Sequence, residues 1–405
     1  MSVKQSIRVL ISLTLIASIF SAPSAFAGTS YSFNSALATG QNGPTQAQVT
    51  TAYTGTTLAG AVTVTTRGIQ LWTVPATGSY QITAVGAGGG GAAGGNGASM
   101  TGTFSLSSGT TLKIVVGQTG VAVSDGGTYY RYGGGGGSYV TNSSNTAYIV
   151  AGGGGGAAIT GGSYAPSYGT NGSTVANPSG SLGGVAGTGS SGCGGQGQGG
   201  GGLTGNGTGS PTSMSFTNNS VGGGGGAEQC PLTIGGTPYG GFGGGGAGGN
   251  GGGGGGGYYG GNGGDNTYTS GQYDSGDGGG SYNSGSNQSN VVASNRNTNG
   301  SVTITFVGSP TLSLSAAGAA TQTNKGQTLT LTANAGQSGF VTFFADNKRI
   351  AGCISLSTSG GNVNCVWKAT VQTTIVLSAK LVSNGFLAAT SSSLSVRVNR
   401  RSGTR

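Results

Sequence analysis

Short segments that alternate apolar and polar residues run along the chain, and in its middle that alternation repeatedly gives way to bare glycine. Residues 61–65 (AVTVT) and 69–74 (IQLWTV) are rich in β-branched and aromatic residues. A turn cluster at 75–78 follows, and 79–85 (SYQITAV) resumes the pattern, so 69–85 predicts a β-hairpin. Further strands are expected at 111–116, 138–141 and 147–150. Val302, Ile304 and Phe306 alternate with Thr303 and Thr305, the period of a strand with one buried face.

Between these segments lie seven runs of four or more glycines, at 88–91, 133–137, 152–156, 199–202, 222–226, 243–246 and 251–257. Such composition ordinarily makes a flexible linker. A linker needs no strands inside it and no closing strand after it, and this stretch has both. The expectation is therefore of long glycine-rich insertions in a β-sandwich whose first and last strands lie side by side.

Ordered polyglycine has to hold itself by its backbone, because buried N–H and C=O groups left unpaired are costly. Extended helices with three residues per turn can pack side by side without Cβ atoms and bond to one another. Collagen is excluded, since glycine does not recur strictly at every third position and the chain has only nine prolines. Ordering glycine carries a large entropic cost. Several helices must therefore pack together and be pinned at their ends.

After Ser309 and Pro310 the composition is ordinary. Expected strands at 312–315, 328–333, 340–345, 363–367, 374–381 and 394–397 suggest a second all-β sandwich. Outside the first residues, no helical period of useful length is found.

The chain opens with Lys4 and Arg8, a mostly apolar stretch at 9–20 and Ala25-Phe26-Ala27, the layout of a secretory signal cleaved near Ala27. The apolar stretch is shorter than the roughly 20 residues a spanning helix needs. The expected layout is thus a signal at 1–27, a glycine-rich domain at 28–308 and a further domain at 309–405, without a transmembrane segment in the mature chain. Export makes disulfides the natural reading of the four cysteines. Cys193 with Cys230 and Cys353 with Cys365 is the economical pairing. A zinc site has little to support it, with no CxxC and no histidine in the chain.

The net charge of +9 is unevenly placed. Residues 28–308 hold Arg67, Lys113, Arg131 and Arg296 against five acids, whereas 309–405 hold nine basic residues against Asp346. A nearly neutral glycine-rich part argues against nucleic acid as a partner. The basic end suits anionic envelope polymers or lipids, or is simply a solvated face.

Catalytic chemistry has little to draw on, and the sequence points to no catalytic set, metal or cofactor. Gly-x-Gly-x-x-Gly recurs, but 94 glycines in 405 residues give on the order of five matches by chance. Residues 260–268 (GGNGGDNTY) approach a calcium-binding nonapeptide, with Asp274 and Asp277 as further oxygen donors. A single copy cannot stack into a β-roll, so turn aspartates are the plainer reading. Acid–base work would fall to Asp125, Glu228, Asp265, Asp274, Asp277 and Asp346 with no histidine to assist.

Aromatic residues are the better contact candidates. Tyr129, Tyr130 and Tyr132 precede one glycine run, and Tyr239, Phe242, Tyr258 and Tyr259 flank the longest ones. They either cap the bundle or form a recognition patch.

The segments 33–36 (FNSA), 42–48 (NGPTQAQ), 52–56 (AYTGT), 68–75 (GIQLWTVP) and 78–82 (GSYQI) resemble the opening of the extracellular glycine-rich domain of the anaplastic lymphoma kinase and leukocyte tyrosine kinase receptor family. The likeness continues in order through 86–89 (GAGG), 114–118 (IVVGQ), 134–140 (GGGGSYV), 149–154 (IVAGGG) and 241–246 (GFGGGG). It implies a jelly-roll-like sandwich carrying a polyglycine helix bundle, used in the receptors to bind a protein ligand. Ala36 and Val49 stand where that family would place paired cysteines, and with no histidine there is no His-Arg-Asp loop of a kinase. Acids are too sparse to carry over the receptors' ligand contacts. Residues 339–346 (GFVTFFAD) and 377–379 (LSA) are similar to bacterial immunoglobulin-like domains. The expectation is an exported surface or secreted protein that binds an extracellular protein or glycan. A self-associating matrix protein and a calcium-dependent extracellular hydrolase are the alternatives.

Overall fold

The computed structural model describes residues 28–124, 129–161, 164–175, 195–209, 212–219, 238–265, 268, 271–309, 311–383 and 386–400. The expected signal, Cys193 and Cys230 lie outside these residues. The first strands are β1 (Ser30–Phe33), β2 (Val62–Thr63), β3 (Gln70–Thr73), β4 (Gly78–Val85), β5 (Ala98–Leu106), β6 (Thr111–Val115), β7 (Ala122–Ser124) and β8 (Tyr130–Tyr132). They are followed by β9 (Ser138–Asn142), β10 (Ala147–Ala151), β11 (Tyr282–Asn283), β12 (Ser286–Val292) and β13 (Ser301–Gly308).

Two antiparallel sheets form, in the orders β1-β13-β4-β5-β12 and β11-β10-β9-β6-β3-β2. The first and last strands pair as expected, Ser30 opposite Thr305 and Phe33 opposite Val302. Alternating burial along β4, β5 and β13 turns one face of the first sheet inward. Trp72, Tyr80, Ile82, Met100, Leu112 and Ile114 fill the space between the sheets. Ala36 and Val49, the positions without the receptor family's cysteines, are buried in this same core.

The hairpin expected over 69–85 does not form. β3 pairs with β2 and β6, while β4 pairs with β13 and β5 in the other sheet. Pro75, which has no N–H, stands between them where the chain crosses over. Trp72 and Tyr80 then meet edge to face across the core, 6.4 Å apart. A short helix was also not expected. α1 (Gln46–Ala52) starts at a capping box in which the Thr45 hydroxyl accepts from the Gln48 amide and the Gln48 side chain accepts from the Thr45 amide. With only Val49 buried along it, it leaves no helical period to read.

The glycine runs leave the sheets and pack against one another. Run 251–258 is surrounded by six others. Gly251, Gly254 and Gly257 donate to Gly195, Gln198 and Gly201; Gly252, Gly255 and Tyr258 donate to Asp274, Asp277 and Gly280; Gly253 and Gly256 donate to Tyr132 and Gly135. Its carbonyls accept from Gly264 and Gly261, from Gly156 and Gly153, and from Gly249 and Gly246. These bonds span 2.7–3.2 Å, and each neighbour is met again three residues on. That period is the signature of the extended three-fold helix. Glycine is required by the close approach: a Cβ on any residue from Gly252 to Gly256 would sit 2.0–2.2 Å from a neighbouring carbonyl oxygen.

Side chains take over at the seam with the sheets. Tyr139 donates its hydroxyl to the Gly257 carbonyl at 2.8 Å. Ser138 accepts from Gly117 and donates to Val85, and Ser281 accepts from Gly152. Phe242 is fully buried here among Ile69, Val115, Tyr139, Val150 and Phe216.

Beyond Ser309 a separate core forms on β14 (Leu312–Ala316), β15 (Gln322–Asn324), β16 (Thr328–Ala345), β17 (Lys348–Arg349), β18 (Leu356–Lys368), β19 (Thr374–Ser383), β20 (Phe386–Thr390) and β21 (Leu394–Asn399). The expected immunoglobulin-like pair of sheets is instead one hydrogen-bonded sheet. The strands expected at 328–333 and 340–345 are a single β16, whose pairing with β18 shifts register between Ala335 and Ser338. β16 pairs with β14 before that shift and with β19 after it, which curls the sheet around its core. Cys353 and Cys365 form a disulfide with Cα atoms 5.5 Å apart, buried beside Trp367. The protein is all-β.

Candidate functional site

Because the runs have direction, the bundle has two ends. Gly137, Gly152, Gly257 and Gly280 lie beside the sheets, whereas Gly133, Gly156, Gly251 and Gly276 lie at the far end. At about 3.1 Å per residue, the five residues of run 133–137 place that end about 15 Å out. The far end gathers several tyrosines whose rings touch one another.

β7 and β8 form a hairpin there, and the latter carries Tyr130 and Tyr132 with rings stacked 6.5 Å apart. The Tyr132 hydroxyl is 2.8 Å from that of Thr160, and Tyr130 bridges to the Thr160 backbone. Tyr129 packs on Tyr164 at 5.5 Å. Tyr164 in turn meets Tyr268 at 5.7 Å and Tyr273 at 5.3 Å, and those two rings are 5.2 Å apart. Tyr130 is 41% and Tyr268 52% exposed. Arg131 reaches Asn250 at 3.3 Å. Tyr168, 60% exposed, lies under the guanidinium of Arg296. The result is an amphipathic face of phenol rings with cations at its margin, suited to burying contact area at little entropic cost.

The sequence candidates divide accordingly. Tyr129, Tyr130 and Tyr132 belong to the far face, and the Tyr239 carbonyl accepts from Val121 at that same end. Tyr258 and Tyr259 lie at the near end, where Tyr258 stacks on Tyr282 at 4.7 Å. Phe242 is no surface residue: a Cβ on Gly68 would lie 2.1 Å from its ring, so it packs as a wedge beneath the Gly43 and Gly68 loops. Tyr164, Tyr168, Tyr268 and Tyr273 were missed. Each follows a glycine run by several residues, and only the fold brings them together.

The acids do not converge. Asp125 and Glu228 lie outside the described residues, and among the described residues no three metal-ligating side chains of the His, Cys, Asp and Glu types meet. Asp265 and Asp274 are exposed, while Asp277 accepts from Asn262 at 3.2 Å. Partial burial in the bundle raises the Asp277 carboxyl above the usual aspartate range, opposed by hydrogen bonds from Asn262 and Thr170.

No protein-family model matches the chain. Over 105 residues it is 42% identical to the leukocyte tyrosine kinase receptor of Mus musculus, a match spanning 24% of this chain and 12% of the receptor. The matching segment belongs to the receptor's extracellular part and not to its kinase domain. The chain is thus linked to that family by a partial match covering a small share of the receptor's length. Among the described residues no helix is long and apolar enough to cross a membrane.

Proposed function

We propose that this chain is an exported, non-enzymatic binding module, secreted or held at a surface, whose far tyrosine face engages an extracellular protein or glycan. The observation that carries this reading is the clustering of Tyr129, Tyr130, Tyr132, Tyr164, Tyr268 and Tyr273 at the end of a bundle held mainly by backbone hydrogen bonds. A bundle made mostly of glycine carries few side chains, and it is a stiff arm for whatever stands at its tip. The partial likeness to a receptor's extracellular part and the Cys353–Cys365 disulfide support an extracellular setting. The domain at 309–405 serves in this reading as a spacer.

The test is a glycan and protein array probed with the mature chain and with a Tyr130→Ser, Tyr168→Ser, Tyr268→Ser variant. The expected outcome is a restricted set of bound partners lost in the variant while its melting temperature is kept. Binding abolished only when residues 309–405 are removed would place the recognition surface there instead.

A second reading, self-association as a matrix protein, draws on β12. This edge strand is uncharged, and it exposes Val291 and Val292. Sedimentation showing a strict monomer at high concentration eliminates it.

A further inference from the structure

Basic residues that are scattered along 309–405 in the sequence are drawn together by the curl of the second sheet. Lys325 donates its amide to the Asn399 carbonyl at 2.9 Å, which sets it beside Arg400. Gly326, next along, donates to the Ala369 carbonyl at 2.8 Å, and Thr328 pairs with Lys368. Arg397 lies opposite Gln322 on one side and Thr374 on the other. The turn before β16, the end of β18 and the end of β21 thus meet at one end of the domain. Lys325, Lys368, Arg397 and Arg400 are all exposed there.

No acid is interleaved with these cations. The stretches 321–328, 368–374 and 395–400 that build this end contain neither aspartate nor glutamate. Asp346, the one acid of 309–405, lies across β19 from β21, where its carboxylate accepts from the Val376 amide at 2.9 Å. An ordinary solvated face intersperses both signs, whereas four like charges repel one another and are relieved by an anionic surface. The chain enters the domain elsewhere, at Leu312 opposite Ala335. From there Thr328 lies seven residues back along β16, about 23 Å away. The basic end is therefore at the opposite end of the sheet from the glycine-rich domain.

One apolar side chain stands among the cations. The connection 369–373 is tied down at both ends, by the Ala369 amide to Gln327 at 3.0 Å and by the Val398 amide to Thr373 at 2.9 Å, and it holds Val371 49% exposed. Lysine and arginine around an outward apolar residue suit the boundary between lipid headgroups and acyl chains. A hydrophilic polyphosphate chain would gain nothing from the valine. We infer that this end of the domain docks on a lipid bilayer whose headgroups carry phosphate and a net negative charge, and so holds the exported chain at a membrane. Each cation near such a surface strengthens attachment about fivefold, so four give weak and reversible retention. The tyrosine face takes no part in this docking, and either surface can fail without the other.

The experiment measures binding of the mature chain to vesicles of mixed phosphatidylglycerol and phosphatidylcholine, to vesicles of phosphatidylcholine alone, and to inorganic polyphosphate in solution. The expected result is binding to the mixed vesicles at about 0.1 M salt, lost at about 1 M, and none to phosphatidylcholine. Lys325→Gln with Arg400→Gln should weaken binding at least about tenfold. Lys348→Gln with Lys380→Gln removes the same charge elsewhere on the domain and should change it less than about threefold. Val371→Ser should weaken it about threefold. All five positions are exposed, and melting curves verify that the variants fold. Equal binding to the two kinds of vesicle, or equal losses from the two charge pairs, would overturn the docking. Polyphosphate bound more tightly than the same phosphate in vesicles, or wild-type binding by Val371→Ser, would overturn the bilayer as its partner.

Discussion

The sandwich and the bundle meet at one seam and are held together by opposite means. In the sandwich, Trp72, Tyr80, Leu112 and Ile114 fill the space between two sheets, so its stability resides in buried side chains. Around run 251–258 there are few side chains to bury, and stability resides mainly in backbone bonds to six neighbours. The lesson is that alanine substitution means opposite things in the two places: it removes material from one and forces material into the other.

The sharpest way to break that contrast is Gly254→Ala. Its methyl carbon would lie 2.1 Å from the Gly261 oxygen, with the Gly261 carbon and the Asn262 oxygen also inside 3.0 Å. All of these are backbone atoms bonded on several sides, so none can retreat alone. We expect a loss of at least about 5 kcal/mol, beyond the usual range for point changes. Denaturant melts would measure it, and hydrogen exchange at 251–258 should rise toward the rate of an unstructured chain. Random-coil exchange in the wild-type bundle would refute the backbone account altogether.

Trp72→Ala tests the other side. The ring is 2% exposed and touches Tyr31, Phe33 and Tyr80. Its removal should cost about 3–5 kcal/mol, while bundle amides stay protected to the extent that the two regions unfold separately.

The sequence made these regions legible to different degrees. Period-two alternation was enough for β13, one face of which is buried, whereas β6, β9 and β10 were read as short apolar and β-branched runs, β9 and β10 standing beside glycine and buried on both faces. Burial alternates along β5 as well, yet Gly102 and the small Ala98 and Ser99 weaken its strand character in the sequence. The 69–85 hairpin failed because a turn cluster signals a change of direction without saying whether the next strand stays in the same sheet. Paired glycine helices could be argued from the need to satisfy backbone groups, but which run faces which depends on register, and glycine carries no register mark. For the same reason Tyr164, Tyr268 and Tyr273 could not be grouped with Tyr129 beforehand. For Phe242 the sequence left open a cap on the bundle or a recognition patch, and its full burial fits the cap, since bare backbone leaves room for a side chain to be buried.

Alkali gives a milder way to sharpen the comparison. Burial pushes the Tyr53 and Tyr80 phenols in the sandwich up to about 12, and the Tyr139 phenol at the seam further still. In the unfolded chain they titrate near 10.0, so the unfolded state releases these protons first. Their contribution is complete below pH 10 and is lost as pH climbs through the folded values. Thermal melts should therefore be flat up to that point and then fall steeply. Tyr53→Phe should delay the fall, at the cost of the 2.6 Å hydrogen bond from its hydroxyl to Gln70.

The smallest effect belongs to Asp277, the bundle's one carboxyl with a raised value. Burial favours its protonated form, so the folded state holds that proton more tightly than the unfolded chain does. The favourable contribution is present below the ordinary aspartate range and disappears as pH rises through the shifted value. Asp277→Asn keeps an acceptor for Asn262 but never ionises. It should raise the melting temperature slightly at neutral pH, by well under about 1 kcal/mol given the solvent that still reaches the group, and give nothing in acid. Tm measured against pH for the two proteins decides the matter. Curves that run parallel would mean the carboxylate is already at ease in the bundle, and that its surrounding amides solvate charge as well as water does.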